Sequence, residues 1–341
     1  MIGRYQRELS VAVAFALLLA ILAIPAMSGK RESSESKEPG KEGKGPAKPS
    51  FFESSEPRAL VVQSAPVLLA AVGMTLVILA RHIDISIGSQ FSLCAVAAGL
   101  LARAGLPMPL VAVATLLTGA GLGAVNGALV AGLGLPSIVV TLATLVILRD
   151  GLRWWREGEF VKDLPSDFQW FGLGQDTGQW LVVGLALAVF LATAWGLRHL
   201  AAGRAVYATG SDPEAARLVG IRPRRVVFTV FVVMGALAGL AALLSAVQLP
   251  QVDPKSGDGL ELQVIAAVVV GGVAISGGRG TLVGTLLGVA LLGTIRSALV
   301  FLGAEAYWEK AVQGGIILIA VASDALNLRK RKDAGTGLAS H

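Results

Sequence analysis

Acidic and hydroxyl side chains interrupt a long apolar run between Gly73 and Ser89. The break carries Asp84 and Ser86, and the apolar residues resume after Gly88. A carboxylate at membrane depth costs about 3 kcal/mol, and non-helical backbone is tolerated there only where it lines a cavity or is buried in protein. A broken helix would therefore turn Asp84, Ser86 and Ser89 towards a solute pathway. An ordinary turn would instead use Asp84 or Ser86 to cap the next helix, and both interpretations stay open.

A second motif lies between Gly203 and Ile221. Asp212 is a favoured N-cap, Pro213 suits the first helical position, and Glu214 complements the helix dipole. These residues predict a helix of about two turns, which is too short to be stable alone in water. It must dock, either on the chain's own helices or on a cytoplasmic partner. The candidate docking residues are Gly210, Asp212, Pro213, Glu214, Ala215, Ala216 and Gly220, the last of these as a C-terminal cap.

A third, glycine-rich motif begins at Gly271-Gly272. It resembles a phosphate-binding loop only in composition, because no Walker A pattern occurs in the chain. Small residues at four-residue spacing instead form faces on which transmembrane helices pack closely. Two such faces are predicted, with Asn126 beside the first as a candidate pathway residue: Gly119, Gly123, Gly127, and Gly280, Gly284, Gly288.

The composition indicates an integral membrane protein of the all-α class. Hydrophobic residues make up 54% of the chain and charged residues 15%, against roughly 25% charged residues in soluble domains. The net charge of +6 does not indicate nucleic-acid binding, because the basic residues collect at the ends of apolar segments. The single cysteine, Cys94, excludes an intrachain disulfide and a multi-cysteine metal site, and the dispersed histidines predict no metal site.

About ten segments are apolar enough to be transmembrane helices. Basic residues concentrate in the N-terminus, in the connection 198–225 and in the tail, so all three are expected in the cytoplasm. Glu261 falls at a predicted outer boundary and is expected to be solvated. The predicted spans are 9–27, 59–80, 88–104, 108–131, 136–152, 179–197, 226–248, 263–276, 281–301 and 310–326.

Four regions follow from this pattern. Residues 1–27 form an N-terminal transmembrane helix, which could alternatively be a cleaved signal peptide. Residues 28–58 mix opposite charges with Ser, Gly and Pro, which predicts a disordered polar periplasmic loop. Residues 59–328 form the main transmembrane domain, and residues 329–341 form a basic cytoplasmic tail.

The three motifs, in this order, resemble the ribose/xylose/galactose-type permeases of ABC importers. The resemblance runs from about Gly73 to Ala325. Two departures are the Arg81-His82 pair, where small residues are usual, and Asp212, where Asn is usual but either residue caps a helix. The Arg81 to Asp84 pattern, with Tyr307-Trp308, leans towards the branch that carries autoinducer-2 or rhamnose. The 28–58 segment matches nothing recognised in the family.

The resemblance implies a multi-pass permease of the bacterial inner membrane that translocates a monosaccharide or similar small solute. Its expected partners are ABC ATPase subunits, a periplasmic sugar-binding protein, a second permease subunit and lipid. ATP and Mg²⁺ are expected on the ATPase, with no cofactor on this chain and no enzymatic step. The resemblance also implies that the segment from Ile83 to Ser89, with Asp84, Ser86, Gly88 and Ser89, lies close to the translocation route, and that the helix from Asp212 to Gly220 couples to the ATPase. Asn126 is a further candidate pathway residue. The alternative is an ion-gradient-driven secondary transporter, which predicts several ionisable groups in mid-span, whereas Asp84 is the one candidate.

Overall fold

The computed structural model describes residues 56–301, together with the isolated residues 13, 311, 314, 315 and 318. These residues form helices and no β-strand beyond a single antiparallel bridge between Val161 and Val252. The helices are α1 (Glu56–Leu79), α2 (Ile87–Arg103), α3 (Met108–Gly127), α4 (Ser137–Arg156), α5 (Gln175–His199), α6 (Ala201–Ser211), α7 (Pro213–Leu218), α8 (Pro223–Ala246), α9 (Leu260–Val270) and α10 (Leu282–Phe301). A π-helical turn, Ala128–Gly132, extends α3.

Four helices of the described region are long and apolar enough to cross a membrane: α1, α3 with its π-helical turn, α5 and α8. Three shorter helices, α2, α9 and α10, are also apolar. The remaining long helix, α4, carries Arg149, Asp150, Arg153 and Arg156 in its last two turns. The described part of the chain is therefore helical, with helices of the length and composition of membrane spans.

The predicted spans from 59–80 to 281–301 each overlap one of these helices. The clearest difference is the span predicted at 263–276, because α9 already ends at Val270. Gly272 has a φ of +91°, and this left-handed residue closes the helix with a bond from the Val273 N–H to the Val268 carbonyl, 3.2 Å. Nearly all of the spans 9–27 and 310–326, the whole tail 329–341 and nearly all of the 28–58 loop lie outside the described residues.

Helix α1 is the centre of the bundle and packs against α5, α8, α9 and α10. Its residues from Leu69 to Val72 and from Val77 to Leu79 are fully buried. Thr75 lies in the same buried face, and its hydroxyl is 2.8 Å from that of Thr285 on α10. Because both hydroxyls are buried, they satisfy each other rather than water.

Glycines bring two pairs of helices into backbone contact. On α3, Gly119 lies against Gly235 of α8, and Gly123 lies against the Phe231 carbonyl. Gly127 lies against the side chains of Phe228 and Phe231. A β-carbon at Gly119 or Gly123 would overlap the backbone of α8, so these helices approach as closely as small residues permit.

The second pair is α9 and α10. Gly284 lies against the Gly271 carbonyl, and Gly288 lies against the Ala267 carbonyl. Gly280 does not belong to this face, which corrects the sequence-based prediction. It precedes α10, has a φ of +141°, and lies against Val273 of the same turn. Its role is to allow the backbone to turn, because few residues other than glycine adopt this conformation.

Candidate functional site

The break between α1 and α2 is a tight turn closed by backbone hydrogen bonds. The Arg81 N–H donates to the Ile78 carbonyl, 2.9 Å, and the His82 N–H donates to the Val77 carbonyl, 3.0 Å. Arg81 has a φ of +71°, a conformation that usually belongs to glycine at this position of a helix end. The chain then continues without helical structure to Ile87, where α2 begins.

Asp84 lies in this connection and is fully buried. Its Oδ1 accepts hydrogen bonds from the Ser86 backbone N–H, 2.9 Å, and from the Ser86 hydroxyl. Its Oδ2 accepts one from the Gln90 amide, 3.0 Å. Burial raises the pKa of the Asp84 carboxyl, while the hydrogen bonds from Ser86 and Gln90 oppose this rise. Among the described residues Asp84 has no cationic partner.

The same cluster reaches two further helices. Asn126 of α3 donates from Nδ2 to the Ser86 hydroxyl, 2.9 Å, and its Oδ1 accepts from the Thr144 hydroxyl of α4, 2.7 Å. Gln90 also donates to the Ser86 hydroxyl, 2.8 Å. Ser86 is therefore the centre of what we call the Asp84 cluster: Asp84, Ser86, Gln90, Asn126 and Thr144. One hydrogen-bonding atom of the cluster, Oε1 of Gln90, is buried and has no hydrogen-bond partner among the residues that the structure describes.

The N-terminal end of α2 also contacts the start of α9. A β-carbon at Gly88 would overlap a carboxylate oxygen of Glu261 and the Gly257 carbonyl. The Gly257 N–H donates to the hydroxyl of Ser92, 2.9 Å. The absence of a side chain at Gly88 thus lets the 257–261 segment approach the first turn of α2. The positive end of the α2 dipole favours a carboxylate at this place.

Glu261 is 7% exposed and not solvated as the sequence suggested. Its Oε1 lies 2.9 Å from Nη2 of Arg149 on α4. Nε of Arg149 is 3.2 Å from a carboxylate oxygen of Asp258, and Nη2 of Arg153 is 3.1 Å from the other oxygen. Burial of Glu261 is tolerated because a guanidinium neutralises it. This ion-pair network connects α4 to the segment that leads into α9.

The structure places the predicted pathway residues in two neighbouring groups. Asp84, Ser86 and Asn126 belong to the Asp84 cluster, whereas Gly88 faces the 257–261 segment. Ser89 is buried, and its hydroxyl donates a hydrogen bond to the Ser86 carbonyl, 2.8 Å. Sequence reasoning missed Gln90, although its position one turn after Ser86 on the same helical face was a usable signal. It also missed Thr144, Arg149 and Glu261, whose partners are distant in the chain.

The second motif forms the short helix α7. Asp212 caps it, because its Oδ1 accepts from the backbone N–H groups of Glu214, 2.9 Å, and Ala215, 3.1 Å. At the other end Gly220 has a φ of +83°. The Ile221 N–H donates to the Ala216 carbonyl, 3.0 Å, and the Gly220 N–H donates to the Arg217 carbonyl, 3.0 Å. Local hydrogen bonds thus satisfy both ends of α7.

The exposure of α7 is uneven. Ala216 is buried at 3%, whereas Leu218 is 90% exposed and the following Val219 is 75% exposed. Pro213 starts the helix, and Glu214 forms an exposed ion pair with Arg217, 2.9 Å. Two adjacent apolar side chains thus project from the end of a short capped helix. These two exposed side chains form a small apolar surface that another protein could cover.

The residues before α7 lie in a junction of three backbone segments. A β-carbon at Gly210 would overlap the carbonyl of Leu79, the last residue of α1. That carbonyl accepts a hydrogen bond from the Gly278 N–H, 2.9 Å, and Gly278 itself lies against Ser211. Gly277 lies against Arg81. We call this group the 79–210–278 junction, and it connects α7 to the turn that leads to Asp84.

Comparison with known proteins gives consistent similarities. Residues 57–321 match the protein family described as branched-chain amino acid transport system / permease component. The chain is 38% identical over 295 residues to the autoinducer 2 import system permease protein LsrC of Escherichia coli O157:H7, covering 83% of this chain and 85% of that protein. It is 35% identical over 280 residues to the ribose import permease protein RbsC of Escherichia coli (strain K12), covering 81% and 87% respectively. No solved structure matches the chain.

Proposed function

The chain belongs to the family of branched-chain amino acid transport system permease components and is the permease subunit of an ABC importer, and we propose that it translocates a monosaccharide or a similar small polar solute. Relatives named for ribose and for autoinducer 2 import support a small solute. The chemistry of the Asp84 cluster supports one with several hydroxyl groups, because its carboxylate, amides and hydroxyls can both donate and accept.

The proposed pathway passes the connection between α1 and α2. Asp84, Ser86, Gly88, Ser89 and Asn126 would line it, with Gln90 and Thr144 as additional polar groups. In the conformation described, the groups of the Asp84 cluster bond mainly to one another. We infer that this conformation is closed at the cluster, and that opening exchanges these internal hydrogen bonds for hydrogen bonds to the solute. Buried polar groups need such replacement partners, because each unsatisfied one costs about 1–3 kcal/mol.

The proposed coupling element is α7. Its exposed Leu218 and Val219 would dock on a partner ATPase, which supplies the ATP and Mg²⁺ chemistry. Movement of α7 would reach the Asp84 cluster through the 79–210–278 junction, since Gly210 lies one residue before the end of α6 and touches the last residue of α1. Hydrolysis in the partner would thus be converted into rearrangement of the helices around the pathway.

The remaining assignments follow from sequence and family together. We propose about ten spans in the bacterial inner membrane, with both termini and α7 in the cytoplasm. A binding protein would deliver the solute at the outer face, and a second permease subunit would complete the channel. The observation that supports the proposal most is that a short capped helix, a backbone junction and a buried polar cluster lie in contact along one path.

Reconstituted transport tests the proposal. The chain is placed in proteoliposomes with its ATPase and binding protein, and uptake of labelled monosaccharides is followed with and without internal ATP. Uptake should require ATP, the ATPase and the binding protein. Uptake by this chain alone, driven by a proton or sodium gradient, would identify a secondary transporter and contradict the proposal.

A further inference from the structure

A groove of about 540 Å³ opens between the end of α3 and the beginning of α8. One wall is formed by the π-helical turn and the other by the first two turns of α8. Most of its lining is apolar, and two arginines of α8 also belong to it. The lining residues are Ala128, Ala131, Gly132, Arg224, Arg225, Phe228 and Thr229.

The two guanidinium groups of the groove are available to an anion. Arg224 and Arg225 are exposed, and within the described part of the chain neither forms an ion pair with a carboxylate. They also follow Pro223 at the start of α8, where the positive end of the helix dipole favours negative charge. The two arginine charges and the dipole of α8 therefore both favour an anion at the groove.

The position of the groove indicates which anion it takes. Both walls belong to helices that are long and apolar enough to span a membrane, and the groove lies where those two spans end on the same side. An occupant at this level has its charged part at the membrane surface and its apolar part against Ala131 and Phe228. Basic pockets between transmembrane helices at the cytoplasmic surface bind the headgroups of anionic lipids.

We propose that this groove is a binding site for an anionic phospholipid of the cytoplasmic leaflet. The phosphate contacts Arg224 and Arg225, and the first part of an acyl chain lies along the apolar lining. The ATPase is a poorer occupant, because the exposed Leu218 and Val219 of α7 already offer it a separate apolar anchor. The lipid would fill the seam between α3 and α8 and stabilise their contact.

Native mass spectrometry of the full-length chain in detergent tests this site. The protein is titrated with phosphatidylglycerol, with phosphatidylcholine and with inorganic phosphate. Wild-type protein should retain one phosphatidylglycerol about thirtyfold more tightly than phosphatidylcholine, since the two arginines near the surface contribute about 1 kcal/mol each. The double variant Arg224→Gln/Arg225→Gln should lose this preference.

Two further variants make the test specific. Arg198→Gln/Arg204→Gln removes the same charge from the same connection outside the groove and should keep the preference. Gly132→Trp keeps both arginines but fills the groove, and an added β-carbon at Gly132 meets no atom within 4 Å. This variant should lose the lipid although its charge is unchanged, and circular dichroism should show unaltered helicity.

Three results would overturn the proposal. The first is equal retention of phosphatidylglycerol by the wild type and the Arg224→Gln/Arg225→Gln variant. The second is displacement of the lipid by millimolar inorganic phosphate, which would indicate a site for a free anion. The third is loss of ATPase co-purification in the arginine variant with unchanged lipid binding, which would assign this surface to the ATPase. None of these readouts depends on the identity of the transported solute.

Discussion

The carbonyl oxygen of Leu79 accepts a hydrogen bond from the backbone N–H of Gly278, 2.9 Å. Leu79 is the last residue of α1, and Gly278 lies in the turn between α9 and α10. The contact joins two helix-breaking turns that are far apart in the chain. Gly210 packs on the same carbonyl, so the end of α6 closes the junction immediately before α7.

Replacement of Gly210 by alanine should disrupt this junction. The new methyl group would overlap the Leu79 carbonyl and approach the Gly278 nitrogen to 2.8 Å. Overpacking of this kind costs about 1–3 kcal/mol, so thermal denaturation should show a less stable protein and ATP-driven uptake should fall. The matched control is Gly184→Ala in α5, where an added β-carbon meets nothing within 4 Å. If the two variants have the same thermal stability and the same uptake, the junction takes no part in the proposed coupling.

The N-cap of α7 gives a second prediction. Asp212→Ala removes the acceptor for the Glu214 and Ala215 N–H groups and should destabilise α7 by about 1 kcal/mol. ATP hydrolysis by the assembled complex should continue while solute uptake falls. Asp212→Asn retains a capping oxygen and should transport normally. If Asp212→Ala transports at the wild-type rate, α7 does not carry the coupling.

Changes at Asp84 separate hydrogen bonding from charge. Asp84→Ala leaves the backbone N–H and the hydroxyl of Ser86 without their acceptor, at about 1–3 kcal/mol for each orphaned group, and the Gln90 amide keeps only its bond to the Ser86 hydroxyl. Asp84→Asn keeps one oxygen for Ser86, and a turn of the Gln90 side-chain amide brings its Oε1 to the new amide as an acceptor. We therefore expect a large loss of thermal stability and uptake for the alanine variant and a small loss for asparagine. Equal losses in both variants would show that the charge itself is required.

The buried ion pair between Arg149 and Glu261 predicts a non-additive pair of substitutions. Arg149→Met leaves the buried Glu261 carboxylate without its cation and should destabilise the protein by about 3–5 kcal/mol. Glu261→Leu leaves Arg149 paired with Asp258 and should destabilise the protein less. The double variant removes both charges and should be more stable than Arg149→Met alone. The unfolding free energies of the wild type, the two single variants and the double variant, measured in one detergent, give the coupling free energy between the two side chains. Additive effects would mean that the two side chains contribute independently.

Local chemistry made the short helix predictable. The cap at Asp212, the first-turn Pro213 and the left-handed Gly220 each act within a few residues, so the sequence contains their partners. The spans were predictable for a similar reason, because hydropathy over about 20 residues depends on no distant contact. The glycine spacing on α3 was informative because helical periodicity converts spacing into a face.

Features that depend on distant partners were not predictable. Glu261 looked like a solvated boundary residue, because its neutralising partner Arg149 comes from another helix. Gly280 fits the spacing of a helical face, but its backbone conformation places it in a turn before α10. The connections among Ser86, Asn126 and Thr144 require three helices to meet. A single sequence does not specify which residues of three separate helices come into contact.

The interlocked glycines of α3 and α8 restrict how the bundle can move. Gly119 and Gly235 each lie against the other's backbone carbonyl, so neither helix can slide lengthwise without a collision. Packed interfaces of this kind have discrete rather than continuous positions. The pair should therefore move as one rigid unit when the other helices of the bundle rearrange.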